Sequence, residues 1–152
     1  MEALEVPTDR RTALAVLARA EAGTLVAAWD ALPAQPDVEV LRSPEFGLVM
    51  AQGRIGGGGA PFNLGEVTVT RATVRLSNGT VGHGHVLGRD RHRAYLVACL
   101  DALWQTPQHR SLVEERVLMP TLRQAAEDDA TTRAKSAATR VNFFTMVRGE
   151  DA

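Results

Sequence analysis

Asn78-Gly79 sits between two runs rich in β-branched residues, Val67 to Leu76 and Thr80 to Leu87. Both residues of the pair accept the positive φ that a type I′ turn demands, so an antiparallel hairpin is expected here. That pairing commits the middle of the chain to an antiparallel sheet. No strand–helix alternation surrounds it, which speaks against a doubly wound parallel fold. Within the first run Val67 and Val69 share one parity, whereas Ala72, Val74 and Leu76 share the other. A strand with one buried face cannot change parity, so a bulge is expected near Thr70 or Arg71.

Upstream, Val38 and Val40 alternate with polar residues and lead to a turn at Ser43-Pro44-Glu45-Phe46-Gly47. Leu48 to Ile55 reads as the next strand, closed by the glycines at 56–59. The first forty residues read as two short helices. Thr8 or Asp9 caps one, with Leu14, Leu17 and Ala18 on its apolar line and Gly23 as its end. Thr24 caps the other, whose buried face is Leu25, Ala28, Trp29 and Leu32 before Pro33 and Pro36 stop it. After the sheet, Asp90 caps a helix with the face Leu96, Cys99, Leu100 and Leu103, ending before Pro107.

Residues 108–119 read two ways. Leu112, Glu115 and Met119 fit a helix, yet Val117-Leu118-Met119-Pro120 suits an extended segment, because the residue before proline avoids the α region. Pro120 then starts a polar, alanine-rich helix to about Thr139, with Asp129 and Arg133 paired across one turn. The expected class is α+β: an antiparallel sheet of about four strands with N-terminal and C-terminal helices on it, and an exposed C-terminal tail. One domain covers 1–152, with helices at 9–32, strands at 37–88, helices at 90–139 and an apolar docking tail at 140–152.

A chain of 152 residues is long enough to bury roughly two-thirds of its unfolded surface. A net charge of −1 argues against broad attraction to nucleic acid or anionic lipid. The single cysteine, Cys99, excludes an internal disulfide and a multi-cysteine metal site, and its apolar helical setting reads as a small buried hydrophobe. No basic region followed by an apolar run opens the sequence, and no stretch nears the roughly 20 apolar residues of a membrane span. A cytoplasmic protein is therefore expected.

Three places offer chemistry. The run Gly56-Gly57-Gly58-Gly59 beside Arg54 lets backbone amides approach an anion, but no Lys-Ser or Lys-Thr closes it as a P-loop requires. The competing reading is a plain connection between strands. His83 and His85 share one strand face, at a spacing that suits zinc, although no third ligand lies at a recognisable spacing. They are expected to serve packing or an interface, with no metal. Gly88-Arg89-Asp90 opens a helix whose free amides favour an anion. Arg71 and Arg75 share a face of the preceding strand, so a cationic patch with Arg89 is the candidate phosphate grip; the alternative is ordinary pairing with Asp90 or Glu66. No nucleophile–base pair and no carboxylate pair with identifiable roles is visible, so no catalytic residue is assigned and no cofactor is expected.

The last dozen residues contain Val141, Phe143, Phe144, Met146 and Val147, rimmed by Arg140, Arg148 and Glu150. The chain holds only seven aromatics, and two of them stand in this short apolar stretch. Packing against its own domain is one reading. The composition equally suits an interface patch on another subunit.

The string RVNFFTMVRG, with TRATVRL, NGT and GRD upstream, Gly53-Arg-Ile-Gly-Gly and Pro61-Phe-Asn-Leu-Gly-Glu66, resembles the G subunit of the bacterial phosphonate carbon–phosphorus lyase system. The order and spacing of these matches run from about residue 9 onward; the segments that match are 53–57, 70–76, 88–90 and 141–149. The resemblance implies a cytoplasmic core complex with H, I and J subunits, the I subunit as chief partner. It implies a part, with the H, I and L proteins, in making a ribose 1-phosphonate 5-triphosphate from ATP and an alkylphosphonate. The I subunit would carry nucleosidase chemistry, and the J subunit would cleave the carbon–phosphorus bond with an iron–sulfur cluster and S-adenosylmethionine. This chain would then be an accessory subunit, with self-association when isolated. Two other readings compete: a direct grip on the triphosphate by Arg54, Gly56, Gly57, Arg71, Arg75 and Arg89, and a stand-alone regulatory module.

Overall fold

In the computed structural model, residues 5–139 are described. Helices α1 (Arg10–Leu17) and α2 (Ala22–Asp30) precede three strands, β1 (Val38–Arg54), β2 (Pro61–Leu76) and β3 (Val81–Leu87). Helices α3 (Arg91–Trp104), α4 (Pro107–Val113) and α5 (Met119–Ala138) follow. The strands form one antiparallel sheet in the order β1-β2-β3. Helix α3 covers one face of β2 and β3, and α1 and α2 pack chiefly against α3 and the turn that enters α5. The class is the expected α+β.

Three strands replace about four because the segments on either side of Ser43-Pro44 form one strand. Register shifts between Val40 and Arg42 and between Arg42 and Glu45 absorb the extra residues as bulges, so the expected turn becomes a kink. Pro44 is tolerated there because β1 is an edge strand, where a missing N–H breaks no ladder. The bulge expected in β2 is absent. Thr70 pairs Val86 and Arg71 pairs His85 without a shift, so Val69 lies on the opposite face from Thr70, Ala72 and Val74. Val69 is nonetheless buried at 6 %. The parity break marks a change of buried face, with polar Thr70 taking an inward position.

The hairpin after β2 closes with a type I turn in place of type I′. Only Gly79 has positive φ, 87°, and its N–H reaches the carbonyl of Leu76 while Asn78 Oδ1 accepts from Thr80 N–H. A three-residue loop with glycine in the left-handed position satisfies the same strand twist.

The helix ends also depart from expectation. Asp9 caps α1 through Thr12 N–H at 3.0 Å, but α1 stops at Leu17, and Gly23 lies inside α2, whose N-cap is Glu21. Helix α3 is capped by Asp90 as expected, through Arg93 N–H at 2.9 Å. Residues 108–119 are helical throughout: a π-helical turn at Glu114–Leu118 joins α4 to α5, and Met119 keeps α-helical angles before Pro120. A π turn widens the ladder just where Pro120 lacks a donor and crowds the carbonyl one turn back, which lets the helix pass through the proline. Arg133 pairs Asp129 on the exposed face of α5, in which no residue is buried.

Two close approaches hold α3 to the sheet. A Cβ built on Gly82 would lie 1.9 Å from the carbonyl oxygen of Ala98, and one on Gly84 would lie 2.0 Å from that of Ala94. Only glycine lets the helix backbone rest on the strand backbone. All of α3 from Leu96 to Trp104 is consequently buried, including Asp101. Cys99 is buried within it, and burial pushes its thiol up to about 11, against a small lowering by Tyr95.

Candidate functional site

The outer face of the sheet carries three cross-strand rows. Glu45, Arg71 and His85 stand abreast in one, Arg42, Thr73 and His83 in the next, and Glu39, Arg75 and Val81 in the third. Directly opposed side chains on one face meet, so each arginine finds a carboxylate across the ladder. Arg71 donates to Glu45 at 3.0 Å, and Arg75 to Glu39 at 2.7 Å. Arg42 joins Glu45 at 3.8 Å. His83 meets Thr73 at 3.2 Å through Nδ1. Though open to solvent on one side, His85 is held below the ordinary imidazole value by partial burial first, then by Arg71, His83 and Arg42. No group of three or more His, Cys, Asp or Glu side chains suited to a metal ion exists among the described residues.

Arg89 lies elsewhere. Its guanidinium is 5.8 Å, and that of Arg91 4.6 Å, from the ring centroid of Phe46. Phe46 pairs Thr70, whose side chain points toward α3, so this stack is on the helix-bearing side. Arg71 and Arg75 are therefore not brought together with Arg89. At the start of α3, Asp90 already occupies Arg93 N–H, while Thr70 Oγ1 donates to the Gly88 carbonyl at 2.6 Å and accepts from Asp90 N–H at 3.1 Å.

Arg54, Gly56 and Gly57 form a third location. Residues Ile55–Gly57 make a short 3₁₀ turn at the tip of the β1–β2 hairpin, with Gly56 and Gly57 at φ 60° and 78°. Arg54 donates to the Gly59 carbonyl at 3.2 Å, which ties the loop onto itself. Along β1 this tip is nine residues from Glu45 and Arg71's row, or about 30 Å at strand rise. The six candidate phosphate ligands thus occupy three places, and Arg54, Arg71 and Arg75 already hold protein partners.

The unanticipated feature is the hairpin itself. Strand β3 pairs only Val69 to Arg75 of β2, whereas β1 and β2 pair all the way to Arg54 and Pro61. Beyond the end of β3 the two strands continue as a two-stranded arm, pinned by a Gln52–Asn63 side-chain hydrogen bond at 3.2 Å. Its side chains are apolar on both faces. Leu48 is 62 % exposed, Met50 52 %, Ile55 72 % and Leu64 64 %. A contiguous exposed apolar surface of this kind marks an interaction site more often than a solvated face. The signal was present in Phe46-Gly-Leu-Val-Met-Ala51, which shows no polar parity, although one face of a sheet covered by helices should alternate.

A cleft of about 420 Å³ between the α1–α2 corner and α5, of mixed polar and apolar lining, includes Arg19, Glu21, Pro120, Gln124, Ala125 and Asp128, and contains no histidine or cysteine. The candidate interface residues Val141, Phe143, Phe144, Met146 and Val147 lie outside the described residues.

The comparisons with known proteins agree with one another. The profile of a family described as "Phosphonate metabolism protein PhnG" matches residues 8–149. A relative from Rhizobium meliloti (strain 1021), named "Alpha-D-ribose 1-methylphosphonate 5-triphosphate synthase subunit PhnG", is 56% identical over 143 residues, covering 94% of this chain and 91% of the relative.

Proposed function

The chain belongs to the PhnG family, and on that premise we propose that it is an accessory subunit of a cytoplasmic complex forming α-D-ribose 1-methylphosphonate 5-triphosphate from ATP and methylphosphonate. It supplies contact surface, and the reacting groups belong to its partners. The partners are the H, I and J subunits, chiefly the I subunit.

The observation that carries this reading is the arm. A two-stranded ribbon is marginal in water without further packing, and this one leaves Leu48, Met50 and Leu64 more than half exposed. Such a segment gains burial only by docking. The arginines of the outer sheet face support the same reading, because their charges are spent within the chain on Glu39 and Glu45. The C-terminal segment 140–152 is proposed as a second contact on the composition of Phe143, Phe144, Met146 and Val147.

Co-expression with the other subunits tests it. Leu48→Ser combined with Leu64→Ser should lower recovery of the I subunit with a tagged copy at least tenfold, and truncation at 139 should do the same. Undiminished recovery from the first variant would remove the arm from the interface, and from the second the tail. Isolated chain that converted ATP and methylphosphonate by itself would overturn the accessory role.

A further inference from the structure

Resting on that subunit reading, we infer that the vacant lane of sheet beside Phe62–Thr68 of β2 receives one extended strand from a partner polypeptide of the complex. Strand β3 runs alongside β2 only as far as Leu87. Gly88, at φ 87°, donates its N–H to the Thr68 carbonyl at 2.9 Å, and the chain then turns away into α3. Strand β2 continues to Pro61 with only β1 beside it. Among the described residues nothing occupies the lane ahead of β3.

The backbone states what fits there. Thr68 directs its carbonyl into the lane, as the Gly88 hydrogen bond shows. Peptide groups alternate sides along a strand, so Glu66 presents its N–H and C=O to the same lane. A row of unmade ladder bonds is a template for another strand, which is how sheet edges capture extended peptides. Pro61 has no N–H and ends the usable stretch, leaving the seven residues 62–68.

The other two borders of the sheet are blocked over part of their length. On the free side of β3, His83 N–H is taken by Asp101 Oδ2 at 2.8 Å, and the Val81 carbonyl accepts from both Arg10 and Gln105. The free side of β1 stays open along its continuation 46–54 in the arm, but up to Glu45 it carries Pro44, the bulges around Arg42 and the charged Glu39, Arg42 and Glu45. These are devices that discourage edge pairing. The lane beside 62–68 carries one charge, Glu66, and one bulge, at Leu64, and leaves the ladder groups of Glu66 on the regular side of that bulge.

Chemistry narrows the occupant further. Residues 47–67 contain one positive and one negative residue, Arg54 and Glu66, so the arm carries no net charge to attract an anionic ligand, nucleic acid or lipid surface. An extended strand with apolar residues, resting near Phe62 and Leu64, matches it. A second copy is the poorer fit. Full pairing of 62–68 with itself centres on Gly65, beside Leu64, where the register with β1 shifts between Ala51 and Gln52, so the irregular stretch of each arm would oppose its own copy.

Amide hydrogen exchange in the isolated chain and in the complex co-expressed with its other subunits tests the inference. The Glu66 amide should exchange freely in the isolated chain and at least about 100-fold more slowly in the complex, as a ladder hydrogen bond requires. Glu66→Ala should assemble normally. Glu66→Pro, which deletes the outward donor and fixes φ at that position, should cut recovery of the complex at least tenfold while the isolated chain still melts cooperatively. A complex that forms while the Glu66 amide stays fast overturns strand addition and leaves the subunit role standing. Unaltered chain that enters no complex overturns the subunit role and this inference with it. Isolated chain that dimerises with the same amide protected makes a second copy the occupant and overturns it too.

Discussion

The guanidinium of Arg10 grips the fully buried carboxylate of Asp101 with two hydrogen bonds, at 2.7 and 3.1 Å, across ninety-one positions of sequence. The same carboxylate accepts His83 N–H, so one ionised group joins α1, α3 and β3. Asp101 raises the pKa of Arg10 above its ordinary value, chiefly by hydrogen bonding.

Removing one partner of a buried ion pair costs more than the pair contributes, because the remaining charge is stranded. Arg10→Met should therefore destabilise the fold by about 3 kcal/mol, with Arg10's partial exposure holding the loss near the lower end of the range. For a chain of this length that lowers Tm by about 10 °C. Adding Asp101→Asn should recover a large share, since the amide still accepts from His83 without a charge. A urea double-mutant cycle showing simple additivity would contradict this coupling.

Glycine substitutions should split by location. Gly84→Ala drives a Cβ to 2.0 Å from the Ala94 carbonyl and has to lift α3 off the strand, costing at least about 3 kcal/mol. Gly23→Ala, with nothing within 4 Å and a place inside α2, should instead raise stability by about 0.5 kcal/mol. Thermal melts of the two variants read both signs directly.

Thr70→Val tests the polar inward position on β2. Valine matches the shape but leaves the Gly88 carbonyl and the Asp90 N–H without their partner where β3 passes into α3. The expected loss is about 2 kcal/mol in urea unfolding. A neutral outcome would mean that water replaces the hydroxyl.

His85 gives the stability profile a sign. Its folded-state pKa lies below the ordinary 6.5, so on acidification the unfolded chain takes up the proton first. Its stabilising contribution is whole above 6.5, declines as pH falls through that value, and levels off below the folded-state pKa. Tm should drop as pH falls through 6.5, and His85→Gln should flatten that drop. Asp9, lowered by its hydrogen bonds to Thr12, adds a separate loss near its ordinary value of 3.8, which His85→Gln leaves in place.

The fold class was legible because its determinants are local. Asn78-Gly79 announced the hairpin and Asp90 the start of α3, and both act within a few residues of themselves. Leu96, Cys99, Leu100 and Leu103 showed that α3 is a core helix by spacing alone. Other features depend on what a segment meets. Ser43-Pro44 has the composition of a turn and becomes a bulge because β2 continues alongside. Asp101 looks like any helix carboxylate until Arg10 arrives from the other end of the chain. The proposed arginine cluster dispersed for a related reason. Arg71 and Arg89 are eighteen positions apart, and nothing in their spacing reveals that Phe46 draws Arg89 to the side of the sheet away from Arg71.

The carboxylate and guanidinium that close off the far side of β3 also set a limit on growth. A sheet with every margin available can recruit neighbours without end and grow into a fibre, whereas one with a blocked margin cannot extend in that direction. Arg10 and Asp101, by occupying the outward groups of Val81 and His83, keep strand pairing from spreading past that margin and so direct any recruitment to the arm.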